Sequence, residues 1–443
     1  IMKPQKHGDE VLYRTYFGKA LGVDEKGKLT LVRQYGLTDD KLFCEEVISD
    51  GIKRAAELAK KADAVIVCIG NDPMIVAREM YDRKTLSLPA HDSALAKAVY
   101  SANNKCVMAV VSSYPFSICE EQEYMPAIIY TTHAGPELGN AFADVISGRY
   151  SPAGRLAQTW YKSEYELAPI ECYNIIENDM TYLYYRGKPL YPFGYGLSYA
   201  KFEYSDFDVK ENGDVISVSL DVANVSETDS DEVVQIYFRM ENPSVKRPLR
   251  QLVAFAREHI KGGSKRHFEF DIKKSELKFY DVSRERFAVE QGRYTFMAGA
   301  SSEDIRLTKT IDISGEKIPP RELCKGIKAK NYNGKYGAKM KYSKKSEQHY
   351  MLGGGLINNC VLGDADSIEI VCGSRVNTGK ITVRYGGKTL CEAEVKPTVD
   401  VTKFETVTAQ FDKAVLAGID REKPAVFDLS MPEQIYILGF RTY

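Results

Sequence analysis

A single tryptophan, six histidines and no apolar run near the roughly 18 to 20 residues of a bilayer-crossing helix mark what this 443-residue chain has little of. No segment is therefore expected to span a membrane as a helix. Charge of one sign is also missing: Lys plus Arg number 60 and Asp plus Glu 61, a net charge of -1. Nucleic-acid binders need a basic excess to neutralise phosphates, so neutral substrates or protein partners are expected instead. No CxxC pair and no His/Cys cluster has zinc-type spacing, and no metal or other cofactor is expected. The nine cysteines are irregularly spaced, and Cys68, Cys106 and Cys119 lie in or beside apolar, strand-like runs, which suits reduced thiols. A GxSxG nucleophile elbow is absent, which argues against an esterase. AVIVCIGNDPM lacks the three-glycine fingerprint of a dinucleotide site. The chain opens Ile1-Met2-Lys3-Pro4, without the charged start and apolar core of a secretory leader. That slightly favours the cytoplasm over secretion and otherwise leaves the compartment open.

What is present is globular: 44% hydrophobic and 27% charged residues, in a chain long enough for about three domains. Residues 1–40 are turn-rich (KHGDE, DEKGK) and read as a linker, a remnant of a preceding domain or a first strand. Residues 41–199 alternate helix and buried strand. A helical stretch at 42–63 precedes AVIVCIG (64–70), a helix near 93–102 precedes CVMAVVSS (106–113), and AIIYTT (127–132) precedes a helix near 136–146. Apolar strands separated by helices predict a parallel sheet in an α/β sandwich, with functional groups on the loops after Gly70, Ser113 and Thr132. Residues 200–318 switch to period-two alternation in DVISVSLDVANVSE, DEVVQIYFRM, KRHFEFDI and GRYTFMAGA, the pattern of an antiparallel β-sandwich. Residues 319–443 follow the Pro319-Pro320 break and a lysine-rich stretch, and SIEIVCG, KITVRYGG, AVFDLS and IYILGFR predict a second antiparallel β-sandwich. The lysines fit either a solvated face or a patch for an acidic ligand.

Several stretches carry a resemblance, in order along the chain. IGNDPMIVAREMYDRKTLSLP (69–89) resembles the acid/base loop of glycoside hydrolase family 3, in which a Glu lies three residues before an Asp-Arg pair and a Leu-x-Leu-Pro follows; Glu79, Asp82, Arg83 and Leu86 to Pro89 fit. YSPAGRLAQTWY (150–161) resembles that family's Pro-x-Gly-Arg-Leu segment, and KPLYPFGYGLSYAKFEY (188–204) its linker into the last common domain. DEVVQIYF with RPLRQLVAF (247–255) is similar to the family's fibronectin type III-like domain. Met80 stands where many members have Gly. Residues 325–443 resemble a family 6 carbohydrate-binding module through KAKNY, DSIEIVCG, GKITVRYGG and IYILGFRTY, with Lys330 in place of an acidic residue and Phe404 in place of a tryptophan. For that domain, sugar binding, packing and dimerisation stay open.

The resemblance implies the C-terminal part of a retaining, exo-acting β-glycosidase of β-xylosidase or β-glucosidase type, acting on oligosaccharides or β-glycosides. Glu79 would be the general acid/base, and Asp82 with Arg83 a loop-bracing ion pair. Judged by spacing alone, a surface pairing of Glu79 with Arg78 or Arg83 would be the favoured reading. His133 follows a strand end and Trp160 is the lone indole, so both are candidates beside the substrate, with a core histidine and a packing indole as alternatives. The nucleophilic Asp would come from an N-terminal barrel, in cis or as a separate chain, because nothing before residue 41 has room for one. The chain alone is therefore expected to be inactive. A noncatalytic scaffold or carbohydrate-binding protein built from the same domains is the competing reading.

Overall fold

His7-Gly8-Asp9-Glu10 carries the first turn signal in the chain, and it closes a hairpin. The computed structural model describes residues 2–15, 18–33, 38–46, 48–72, 83–170, 172–398 and 403–443. In it β1 (Met2–His7) pairs antiparallel with β2 (Glu10–Thr15), with His7 opposite Glu10. β3 (Lys19–Val23) and β4 (Leu29–Arg33) form a second hairpin, whose turn is held by the Asp24 carboxylate accepting from Lys26 N and Lys28 N, both at 2.9 Å. Among the described residues of the first 40, read above as linker, remnant or first strand, there are thus four strands.

The chain divides into two compact units: Ile1–Tyr150 with Leu156–Ile170 and Gly187–Phe193, and Ser151–Arg155 with Glu171–Arg186 and Gly194–Tyr443. In the first, the stretch read as one helix over 42–63 splits. Residues Leu42–Cys44 form β5 and pair with β2, and α1 (Gly51–Ala59) starts only after Asp50, whose carboxylate caps Lys53 N. A nonlocal strand pairing overrode helical composition there. β6 (Val65–Gly70), β7 (Cys106–Val111) and β8 (Ala127–Thr131) then form a parallel sheet in that order, linked through α2 (Ala90–Ala102) and the short α3 (Glu121–Tyr124). α4 (Leu138–Ile146) follows β8.

The core of this unit gathers Val67, Ile69, Val99, Met108, Val110, Phe116 and Trp160. Central β7 is buried on both faces, as expected of a covered parallel strand. On β6, burial alternates, with Val67 and Ile69 inside and Ile66 and Cys68 exposed.

The second unit holds the two predicted sandwiches. In the first, a three-stranded sheet (Lys265–Lys273, Val215–Asn224, Phe202–Asn212) and a four-stranded sheet (Gln251–Ile260, Ser230–Met240, Gly292–Gly299, Ile305–Ile313) enclose a core that includes Val218, Leu220, Ile236 and Phe296. Strand Val215–Asn224 buries every second residue, as its sequence alternation required. Strand Ser230–Met240 is buried on both faces, and its outward Gln235 donates to Gly194 O (3.1 Å) while accepting from Tyr237 OH (2.6 Å), so the YPFGYG segment is pinned on that face. The two motifs YSPAGR and GLSY meet here too: Ser151 Oγ accepts from Tyr199 N (3.0 Å) and from Ser230 Oγ (2.8 Å). Arg155 pairs with buried Glu232 at 3.3 Å, and Tyr204 OH donates to the same carboxylate at 2.8 Å.

The C-terminal sandwich is organised by one long strand, Ala425–Thr442. Its first half pairs with Gly379–Tyr385 and its second half with Ser367–Ser374, so it runs through both halves of the sandwich. Three residues of the lysine-rich stretch meet carboxylates of their own unit: Lys325 with Glu322 (2.8 Å), Lys328 with Glu285 (2.8 Å) and Lys335 with Glu177 (2.6 Å). Three of the eight lysines between 325 and 345 are therefore paired within the unit.

Glu316 illustrates the electrostatics of this unit. Hydrogen bonds from Arg286 and then Arg284 pull its carboxyl down to about 2. A carboxylate depressed by folding stabilises above its unfolded value, about 4.3, and that contribution is lost as pH falls through the folded one. Thermal melts of wild type and Glu316→Gln should thus differ above about pH 5, with the variant lower, and the gap should close as the pH falls toward about 2.

Candidate active site

Three parallel strands end side by side, and a closed ring of hydrogen bonds ties their carboxyl ends. Gly70 ends β6 with φ +149°, and a Cβ there would collide with the Val111 carbonyl, so only glycine lets the chain cross so close to β7. Asn71 follows, donating its N–H to Val111 O at 3.1 Å. Its side-chain Oδ1 accepts from Ser113 N at 3.0 Å, and its main-chain carbonyl accepts from His133 Nε2 at 3.0 Å. The third side closes between Ser113 Oγ and His133 Nδ1 at 2.8 Å. Because Nε2 carries the hydrogen donated to a carbonyl, Nδ1 of the neutral ring is the acceptor and the serine hydroxyl donates. Asn71 is 6% exposed, and its Nδ2 has no partner among the described residues.

A serine beside a histidine raises the question of nucleophilic catalysis, and the surrounding amides answer it. Ser113 N is committed to Asn71 Oδ1, and Tyr114 N to Ser112 Oγ at 3.0 Å. No free pair of N–H groups on this turn faces the place where an oxyanion would form. The ring is a brace that sets the level of three strand ends.

Beyond the undescribed residues 73–82 stands Arg83. The Arg83 guanidinium stacks over Tyr114 at 5.4 Å and Phe116 at 5.2 Å, its pKa is lowered by burial, and its Nη1 has no partner among the described residues. A few residues on, Leu86 O accepts from Ser117 N at 2.8 Å, and Ser87 forms a parallel bridge with Ser117. Both feet of the segment are thus fixed to the stretch that leaves β7.

Of the residues singled out from sequence, Arg83 and His133 converge on this stretch, at Tyr114 with Phe116 and at Ser113. Glu79 and Asp82 lie outside the described residues. Trp160 goes elsewhere. It is 2% exposed, edge-on to Tyr130 (4.8 Å) and Tyr191 (5.8 Å), with its main chain paired to Leu190 and Tyr191, so it offers no ring face to a ligand. Asn71, Ser113 and Tyr114 were not singled out. The only sequence signal for them was their position just past apolar strands.

The brace carries a prediction. Replacing Asn71 by Ala leaves the Ser113 amide without its acceptor, and urea unfolding should show a loss of about 1–3 kcal/mol. His133→Ala, at an exposed ring, should cost less than about 1 kcal/mol.

Comparison with known proteins gives two domain matches. Residues 10–199 match the glycosyl hydrolase family 3 C-terminal domain, and residues 232–302 the fibronectin type III-like domain. A β-glucosidase of Kluyveromyces marxianus is 33% identical over 300 residues, covering 64% of this chain and 35% of that protein. A xylan 1,4-β-xylosidase of Xylanibacter ruminicola is 31% identical over 298 residues, covering 65% of this chain and 34% of that protein. The crystal structure of the Kluyveromyces marxianus β-glucosidase in complex with glucose superimposes with a TM-score of 0.56 at 31% identity, over 62% of this chain and 34% of that one. The chain spans about a third of the length of these relatives.

Proposed function

Because the chain carries the C-terminal domain of glycoside hydrolase family 3 followed by a fibronectin type III-like domain, we propose that it is the C-terminal part of a retaining, exo-acting β-glycosidase. Its substrates are oligosaccharides or β-glycosides of the kind cut by β-glucosidases and β-xylosidases, from which it releases the terminal non-reducing sugar. Glu79 acts as general acid/base. The nucleophilic Asp is contributed by an N-terminal barrel, in cis or as a separate chain, and without that barrel the chain has little turnover of its own.

The observation that carries this reading is the anchoring of both feet of the segment 73–82. One foot is the Asn71 brace at the carboxyl edge of a parallel sheet, and the other is Arg83 on Tyr114 and Phe116 with Leu86 and Ser87 on Ser117. Such edges are where open α/β sheets present functional groups. A long acidic side chain whose flanking residues are fixed on both sides suits a carboxyl group that must meet a partner carboxylate about 5 to 5.5 Å away.

The chemistry then runs in two steps. The nucleophilic carboxylate attacks the anomeric carbon while Glu79 gives its proton to the departing glycosidic oxygen. Glu79 next takes a proton from the water that attacks the anomeric carbon, and the bond to the nucleophile breaks to release the sugar. Glu79 must therefore be protonated near neutral pH in the free enzyme, a state favoured by burial or by the neighbouring nucleophile's charge. Arg83 braces the segment, and its Nη1, which has no partner among the described residues, suits an ion pair with Asp82.

In the barrel-containing protein, Glu79→Ala should lower kcat/KM by about 10²- to 10⁴-fold on substrates with poor leaving groups, and far less on activated aryl glycosides. Steady-state kinetics on the two substrate classes measure this. Normal turnover of the poor-leaving-group substrate by the variant would rule out the assignment.

A further inference from the structure

Arg321 follows Pro319-Pro320 and opens the short strand Arg321–Glu322 that enters the C-terminal sandwich, where its register partner is Cys360 on strand Gln348–Val361. Only 6% of the residue is exposed. Nη1 donates to the main-chain carbonyl of Asn331 and, at 2.6 Å, to Oδ1 of Asn358, which is fully buried. Nε and Nη2 have no partner among the described residues. These two nitrogens form one edge of the guanidinium, the planar pair of N–H groups that grips an anion side-on. Asn358 is left in the same condition. A guanidinium has only donors, so the amide turns its oxygen to Arg321, and its Nδ2 is likewise without a partner among the described residues.

The charged and ionisable groups around Arg321 do not fill this edge. Asp281 is the carboxylate whose charge reaches it, yet Asp281 Oδ1 accepts from Ser283 N at 2.8 Å and Oδ2 from Arg284 Nε. Glu285 Oε1 accepts from Asn331 Nδ2 at 2.9 Å and from Lys328 at 2.8 Å. Cys360 supplies no thiolate, because burial pushes its thiol up to about 12. Burial also outweighs the charge of Asp281 and pulls Arg321 down to about 10, so the guanidinium is still a cation at neutral pH. A buried cation whose donors stay unfilled is strongly destabilising.

We propose that the Nε–Nη2 edge of Arg321 and the Nδ2 of Asn358 hold one small monovalent anion, of the size of chloride, as the counterion of the buried guanidinium. A spherical ion accepts hydrogen bonds from any direction, so one ion serves both side chains. Neither side chain reaches solvent far enough to admit a bulky ligand, which restricts the site to ions of this class. Bound there, the ion fixes the entry to the C-terminal sandwich, since Arg321 holds the Asn331 carbonyl and the Asn331 amide holds Glu285. Only the folded chain collects these donors, so the ion stabilises by mass action. A water molecule would satisfy the N–H groups and leave the charge uncompensated.

The test is differential scanning calorimetry of the 443-residue chain in sodium gluconate, whose anion is too large for the enclosed site, with chloride replacing gluconate from about 1 to about 100 mM at constant ionic strength. The wild-type midpoint should rise by about 3 °C or more, and bromide should act in the same way. Arg321→Met should lose the rise, which also cancels any general effect of replacing gluconate. Arg321→Lys, which keeps a charge without the paired N–H groups, should need about tenfold more chloride for the same rise. Crystals of the wild type grown in sodium bromide should show an anomalous peak against Nε and Nη2 of Arg321, a measurement that needs no variant to fold. A wild-type midpoint that ignores chloride, an Arg321→Met midpoint that rises as the wild type does, or bromide crystals with no anomalous peak at that edge overturns the proposal.

Discussion

The first unit depends on how three parallel strands can end together. Parallel strands have no hairpin to set their register, and their last carbonyls and amides are left open where the chain turns away. Asn71 resolves this at one residue. Its main chain extends the β6–β7 ladder, its side-chain oxygen takes the Ser113 amide, and its carbonyl takes the His133 ring. Gly70 is the cost of that position, since no side chain fits against the Val111 carbonyl. Whatever the following residues do chemically, they begin from a backbone position held by three neighbours.

The second unit is held by a different device. Its first sandwich buries polar groups on strand Ser230–Met240: Gln235 and Glu232 meet segments that arrive from earlier in the chain, and Tyr237 donates to Gln235. A buried polar group left unpaired is costly, so each such group fixes where its partner segment must lie. The motifs YSPAGR and YPFGYGLSY are the segments that pair them. Their residue types follow from this role: Ser151 supplies an acceptor, Arg155 a charge for Glu232, and Gly194 a carbonyl that Gln235 can reach.

Much of this architecture was legible in the sequence because it rests on local pattern. Continuous apolar runs marked β6, β7 and β8, and period-two alternation marked both sandwiches. What local pattern could not reveal was nonlocal pairing. Leu42–Cys44 reads as helix until β2 is there to pair with it. The Asn71 brace closes over 42 and 62 residues of sequence, so neither Ser113 nor His133 announces its partner. Trp160 could have stacked on a sugar, and only the positions of Tyr130 and Tyr191 turn it into core.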